Sequence, residues 1–200
     1  MSPSGRVAAA VLAAGRGSRL DAAAASAKPL LSFRGRPLVA HALDAAVTSA
    51  LAPVVLVVGH EADAVSAVAP EGVQVVHNDR WADGISSSLH AALRALEPEP
   101  ADGVVIGLAD QPLVGAEAWR RIGAAYTDGA TLAVATYGAK RGNPVLLART
   151  MWPDALELRG DEGARQLFRD HEVVEVPCDG TGSPDDVDTL QDLERIERIS

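Results

Sequence analysis

Seven short apolar runs constrain this chain more than any other feature. They fall at residues 7–12, 54–58, 73–77, 104–108, 132–136, 145–148 and 173–176, and are built mostly from Val, Leu, Ile and Ala. Most are continuous rather than alternating, which is how strands read when both faces are covered. Helical patterns lie between them. Pro37 suits a first helical position, with Val39, Leu43 and Val47 following at four-residue spacing. Leu89, Leu93 and Leu96 form a stripe after Ser86, Ser87 and Ser88, any of which suits a helix cap. Trp119, Ile122 and Tyr126 form another stripe. A last one runs Leu190, Leu193, Ile196, Ile199, with Glu194 and Arg198 paired on its wet side. This alternation predicts a three-layer α/β domain with a largely parallel sheet. After Thr136 the regularity weakens, and residues 136–147 read as two strands joined by a loop, an antiparallel insertion. Residues 21–27 and 97–103 read as loops rather than linkers, so residues 1–200 are expected to form one domain. Sheets of this kind bind ligands at the carboxyl ends of their strands, near a reversal of strand order. That directs attention to the positions just after Leu12, Val58, His77, Leu108 and Thr136.

Composition narrows the function classes. Apolar residues make up 48% of the 200 and aromatics only 4%, so the core must be mostly small and aliphatic. The formal net charge of −9 disfavours a general nucleic-acid binder, because a phosphate backbone needs a basic face. It leaves room for a small anionic substrate held by a local cluster of cations. The single cysteine, Cys178, permits neither an internal disulfide nor a cysteine metal cage. With no apolar run near the ~20 residues of a membrane helix and no signal-peptide pattern, a cytoplasmic protein is expected.

The first apolar run empties into Gly15-Arg16-Gly17-Ser18-Arg19. Glycines let the backbone approach a ligand and adopt positive φ. Successive N–H groups in such a turn form an anion-binding nest. Arg16 and Arg19 bring forked donors matched to phosphate oxygens, and Lys28 adds a point charge. Taken alone, Gly-x-Gly reads as a tight turn with solvated arginines. It is neither a Walker loop nor a dinucleotide fingerprint, since Leu20 stands where a third glycine would be needed. Its place after the first strand, with two arginines and a nearby lysine, points to a polyphosphate.

Eight segments in order, LAAGRGSRL…AKPLL, RGRPLVAHAL, VVGHEADAV, VVHNDRWADGISSSLHAAL, LADQPLV, TYGAKRGNPVLL, RGDEGARQLF and DDVDTLQDL, resemble the landmarks of the MobA-like nucleotidyltransferases. The branch they resemble most is that of the molybdenum cofactor cytidylyltransferases. The resemblance covers about Val7 to Leu193. It implies a Rossmann-like fold of the nucleotide-diphospho-sugar-transferase type. It implies transfer of a nucleoside monophosphate from an NTP to a phosphorylated acceptor such as molybdopterin, releasing pyrophosphate, with Mg²⁺ required. By motif match, Leu12, Ala13, Ala14, Gly15, Gly17, Ser18 and Arg19 form the NTP loop and Lys28 contacts phosphate. Ala14, where guanine-using relatives usually have Gly, leans towards CTP. The chain departs from the family at Asp21 and Leu190, where Gly and Pro are usual, and in LAD before Gln111. None of these removes a charge the mechanism needs.

Asp110 ends the 104–108 run and precedes Gln111-Pro112. It suits a Mg²⁺ ligand, since Mg²⁺ takes one or two carboxylates and fills its shell with phosphate and water; it equally suits a turn or cap. Asp188 resembles the family's second metal ligand, with Asp186 secondary. A phosphate monoester is largely dianionic near neutral pH, so the acceptor needs no general base. Arg19, Lys28 and Asp110 with its metal are then the catalytic set, acting by positioning and fixed positive charge. The resemblance places base and ribose contacts near Asn78, Gly84, Ser87 and Ser88, for which a plain loop with a cap accounts less fully. Lys140, Arg141 and Asn143 read as an acceptor-side loop or, equally, a basic hairpin tip. The five histidines show no metal spacing. Small-molecule substrates are the expected partners, with no nucleic acid or membrane and, on the resemblance, a molybdoenzyme or its chaperone as a protein partner. A competing reading comes from MobA-like NAD(P)H-dependent nicotine blue oxidoreductases, because the same loop suits a dinucleotide pyrophosphate.

Overall fold

Continuous apolar strands require cover on both faces, and the computed structural model, which describes residues 5–17 and 27–199, supplies it for the central strands, while the runs at 73–77 and 174–177 lie at the sheet edges and are partly exposed. In chain order the elements are β1 (Val7–Ala13), β2 (Ser32–Phe33), β3 (Arg36–Pro37), α1 (Leu38–Thr48), β4 (Val54–Val58) and α2 (Ala62–Ser66). Next come β5 (Val73–His77), α3 (Ile85–Leu96), β6 (Gly103–Leu108), α4 (Ala116–Thr127) and β7 (Leu132–Tyr137). Then follow β8 (Lys140–Ala148), α5 (Trp152–Glu157), β9 (Val174–Pro177) and α6 (Leu190–Ile199).

Seven strands form one sheet in the order β5-β4-β1-β6-β8-β7-β9. The β1–β4, β4–β5, β1–β6 and β7–β9 pairs are parallel; β8 runs antiparallel to both β6 and β7. β2 and β3 make a separate two-stranded ribbon. The period-two alternation of β1 shares its buried residues between two cores. Val7, Ala9, Val11 and Ala13 face α1, α2 and α4, while Ala8, Ala10 and Leu12 face α3 and α5. This is a three-layer α/β fold of the nucleotide-diphospho-sugar-transferase type, with a mostly parallel sheet and a small antiparallel part. A third, smaller cluster joins Leu31, Phe33, Leu38, Val187 and Ile196. It pins the segment after Lys28, the ribbon, the approach to Asp188 and α6 to one another.

Several boundaries differ from expectation. Pro37 precedes α1 as its cap residue instead of opening the helix. None of the three serines caps α3; Gly84 stands at that position, and Ser87 donates its hydroxyl back to the Gly84 carbonyl at 2.8 Å. β8 begins at Lys140, five residues before the apolar run, because hairpin pairing with β7 carries the polar residues into the sheet. β1, β6 and β7 each run one residue longer than their apolar stretches suggest.

The chain leaves β1 to build β4 and β5 on one side, then returns to lay β6 on the other. The strand order therefore reverses between β1 and β6, and the carboxyl ends of these two strands open a crevice there.

Candidate functional site

β1 delivers Ala14 and the loop Gly15-Arg16-Gly17 to this crevice. Gly17 has φ of +70°, and a Cβ on it would lie 2.6 Å from the Cβ of Lys28. The position thus needs glycine both for its backbone and for the loop to run against the lysine stem. Gly15 does not have positive φ; its surroundings are open. Ser18 and Arg19 lie outside the described residues.

Ala27 re-enters by donating its N–H to Glu61 Oε2 at 3.0 Å, and a single 3-10 turn, Lys28–Leu30, follows. Lys28 is only 9% exposed. Its Nζ donates to Asp110 Oδ2 and to Asp188 Oδ1, each at 2.6 Å. Burial pulls the Lys28 pKa down, but the attraction and hydrogen bonds of Asp110, seconded by Asp188, outweigh it and leave the pKa raised. The ammonium is therefore firmly charged.

Each carboxylate is held by backbone. Asp110 follows the end of β6, whose pairing with β1 continues through Ala109 N–H to the Leu12 carbonyl at 3.1 Å. The Asp110 carbonyl accepts the N–H of Val187 at 2.9 Å, which brings the Asp188 segment alongside. Asp192 Oδ2 accepts the N–H groups of Asp188 and Thr189 at 3.2 and 2.9 Å, and Thr189 Oγ1 accepts the Asp192 N–H at 3.1 Å, a reciprocal cap on α6. Two hydrogen bonds from backbone and hydroxyl of Thr189 and one from Asp188 hold the Asp192 carboxyl below its usual range.

Asp110 Oδ1 is buried and has no hydrogen-bond partner. Buried carboxylate oxygens are rarely left so. This donor set fits a hard divalent cation that draws its remaining ligands from phosphate and water. Among the described residues no group of three or more His, Cys, Asp or Glu forms a closed cage. Asp186 is exposed and lines the neighbouring cleft instead of contacting Lys28.

Two clefts meet here. One, of about 570 Å³, is lined by Ala14, Gly15, Gly17, Lys28, Trp81 and Asp110, with Gly84 and Ser88 along its wall. The other, of about 490 Å³, has an apolar floor of Leu12, Leu89, Ile106 and Val145 and a rim carrying Lys140, Arg141, Asn143 and Arg165. They share Leu12, Ile85, Leu108 and Asp161.

The structure separates the residues expected to contact base and ribose. Asn78 and Ser87 do not line the first cleft. Asn78 donates to Ser87 Oγ and Ser88 Oγ at 2.9 and 3.1 Å and accepts the Arg80 N–H at 3.0 Å, so it braces the turn into α3. In the second cleft, Asn143 donates to Gln111 Oε1 at 2.9 Å, and Gln111 donates to the Pro184 carbonyl at 2.9 Å. Tyr137 donates its hydroxyl to the Asn143 carbonyl at 3.0 Å. Arg141 is paired with Glu175 at 2.7 Å and lies over Phe168, while Lys140 and Arg165 are exposed at the rim. Glu61, Trp81, Gln111 and Asp192 also shape the site without standing out in the sequence as site residues. Gln111 and Trp81 lie within the family-like segments, and Thr189-x-x-Asp192 before an apolar stripe is the signature of a helix cap.

A family model described as the MobA-like NTP transferase domain matches residues 9–176. A nicotine blue oxidoreductase of Paenarthrobacter nicotinovorans is 30% identical over 197 residues, covering 93% of this chain and 94% of that protein. The crystal structure of Rv0371c from Mycobacterium tuberculosis H37Rv is 32% identical with a TM-score of 0.84, covering 97% of this chain and 98% of that one. Rv0371c in complex with manganese superposes with a TM-score of 0.81 at 32% identity, covering 98% of this chain and 100% of that one. A nucleotidyl transferase of Methanothermobacter thermautotroptrophicus, 24% identical, shares the fold with a TM-score of 0.78 over 97% of both chains.

Proposed function

The chain belongs to the MobA-like NTP transferase family, and from that premise we propose that it transfers a nucleoside monophosphate, CMP from CTP, to a phosphorylated acceptor such as molybdopterin. One observation carries this reading: Lys28, on the wall of the glycine-loop cleft, joins Asp110 and Asp188, and Asp110 keeps a buried oxygen without a partner. The triphosphate lies in the cleft of the glycine loop and the acceptor in the cleft of Lys140, Arg141 and Asn143. The choice of CTP rests on Ala14.

Asp110 and Asp188 are the residues that would hold Mg²⁺. A cation held there would neutralise phosphate charge and withdraw electrons from the reacting phosphorus. The chain's own part is positional and electrostatic. Loop amides and Arg16 face the polyphosphate, and Lys28 holds a fixed positive charge beside the reacting group. With its second pKa near ~6, an acceptor phosphate is already a nucleophile at neutral pH. It attacks the α-phosphorus in line, and pyrophosphate leaves with the electrons of the broken P–O bond. The apolar floor of the second cleft suits a flat ring, its cationic rim an anionic group. The reaction has no need of a membrane, and no helix among the described residues is long and apolar enough to cross one. A lone buried Cys178 suits a reducing cytoplasm.

A second reading has its own support. The relative at 30% identity over 93% of this chain is named for an oxidoreductase. Hydride transfer from a nicotinamide has no use for the Lys28–Asp110–Asp188 trio, which ranks it below nucleotidyl transfer. A thermal-shift series with CTP, GTP, ATP, NADH and NADPH, each with and without Mg²⁺ or Mn²⁺, separates the two. Metal-dependent stabilisation by an NTP, followed by pyrophosphate release on adding acceptor, is the expected outcome. Stabilisation by NADPH without metal, and by no NTP, overturns it.

A further inference from the structure

The chain has three tryptophans, and two are core residues: Trp119 is 1% exposed and Trp152 6%. Trp81 is different. It is half-buried, packs partly on the α3-side core, and lines the cleft that also holds Lys28 and Asp110. A large aromatic at a cleft wall is an investment in apolar contact at a place where loop residues are otherwise small or polar.

Its position is fixed from several sides. A Cβ added to Gly59 would lie 2.5 Å from Trp81 Cβ and 2.9 Å from Ala14 Cβ, so the absent side chain lets the indole sit directly over the end of β4. The His60 ring stands 5.1 Å away, tilted by 51°. The Trp81 N–H donates to the Asn78 carbonyl at 3.2 Å, and the Trp81 carbonyl accepts the Gly84 N–H at 3.4 Å. Asn78, locked to Ser87 and Ser88, therefore serves the cleft indirectly, by holding the turn that presents the indole.

The sheet order sets the distance. β4 and β6 flank β1, and neighbouring strands lie about 4.8 Å apart, so the two strand ends stand about 10 Å from each other. Trp81 stands over the β4 end; Lys28 and Asp110 stand at the β6 end. A ligand whose phosphate meets Lys28 has its body directed across the end of β1 towards the indole.

We propose that the exposed face of Trp81 is the platform on which the nucleobase of the NTP stacks. The inference rests on the nucleotidyl-transfer reading and assigns the far end of that same cleft. Stacking uses the π-face that every base has, so Trp81 supplies affinity with little choice among bases. Selection between CTP and the purine nucleotides then belongs to the hydrogen-bonding groups around it.

The test titrates the full chain with CTP, GTP and ATP in Mg²⁺, following heat and tryptophan fluorescence together. Fluorescence is expected to be quenched along the same curve as the heat, because Trp81 alone of the three is within reach. Trp81→Phe should abolish the quench while raising Kd by less than about threefold, and Trp81→Ala should raise Kd roughly tenfold for every nucleotide that binds. Binding heat without quenching, or a Kd in Trp81→Ala within about twofold of the parent, refutes the platform and leaves the transferase reading standing. Absence of binding heat with all three nucleotides refutes both. Should Trp81→Ala fail to fold, the parent chain and Trp81→Phe decide the matter through the quench.

Discussion

Replacing Lys28 by Met keeps the stem that Gly17 runs against and removes the charge that separates Asp110 from Asp188. The two carboxylates then lose the ammonium that both of them accept from. The side chains concerned are 11%, 24% and 36% exposed, so solvent softens the penalty. Lys28→Met is expected to cost about 1–3 kcal/mol in urea unfolding. Adding Asp110→Asn should restore part of that loss, because the repulsion goes with the charge; equal and additive losses would show that the trio is not coupled. Nucleotidyl transfer by Lys28→Met should fall by roughly 10²-fold, as when one preorganised donor is removed from a reacting phosphate. The partners of Lys28 lie 82 and 160 residues away in sequence. The sequence displays the three residues as types at strand ends and in family-like segments, but that one ammonium bridges both acids is a product of the fold. Asn78 illustrates the opposite difficulty. An amide beside a cleft has donors and an acceptor suited to a ligand or to its own backbone, and only the packed structure decides. Here Ser87, Ser88 and the Arg80 N–H take them.

The turn into α3 and the cap of α6 deliver the cleft wall and the second carboxylate, and each hangs on one or two residues. Gly84 has φ of +102°, and a Cβ there would lie 2.3 Å from the carbonyl carbon of Gly160. Neither backbone can yield cheaply. Gly84→Ala is expected to cost on the order of 2–3 kcal/mol, lowering Tm by roughly 5–10 °C, and to weaken nucleotide binding because Trp81 precedes it in the same turn. A melting scan and a binding titration check both; a Tm within about 2 °C of the parent would show that the turn relaxes freely. At α6, Thr189→Ala removes the hydroxyl of the reciprocal cap and is expected to cost about 1 kcal/mol. Hydrogen exchange should accelerate first at Asp188 and Thr189, whose N–H groups Asp192 holds; unchanged protection there would place the anchor of Asp188 elsewhere. Elements differed in how well the sequence displayed them. Strands buried on both faces are written as apolar runs, and each stripe falls on a helix, although Val47 in α1 and Leu190 in α6 stand exposed. The β2–β3 ribbon, with two residues per strand, has no period to read. The start of β8 was hidden because Lys140, Arg141 and Gly142 enter the sheet through pairing with β7, not through burial.

At the scale of the whole molecule, the reversal of strand order between β1 and β6 gathers residues from Ala14 to Asp188 into one crevice. Alternation of strand and helix made the layered architecture legible, but nothing in a run of valines says which neighbour it pairs with. The antiparallel insertion after Thr136 was legible in the sequence; that β8 lies between β6 and β7 emerges only from the fold. On the α3 side, His90 binds the Ala155 carbonyl through Nε2 at 3.2 Å and so ties α3 to α5. Burial disfavours its charged form; the Ala155 carbonyl works against that, and the guanidinium groups of Arg94, Arg159 and Arg80 reinforce it. The net result is a pKa below the ordinary 6.5. Between the lowered value and 6.5 the unfolded chain holds a proton that the native state does not. Stability therefore rises with pH through that window, is fully present above 6.5, and is lost as the pH falls below it. Comparing melting at about pH 7.5 and about pH 5.5 should show a smaller drop for His90→Gln than for the parent chain, since glutamine keeps an N–H donor for Ala155 and has no proton to gain. An equal drop in both proteins would move the acid sensitivity of this fold away from the α3–α5 contact and onto its carboxylates.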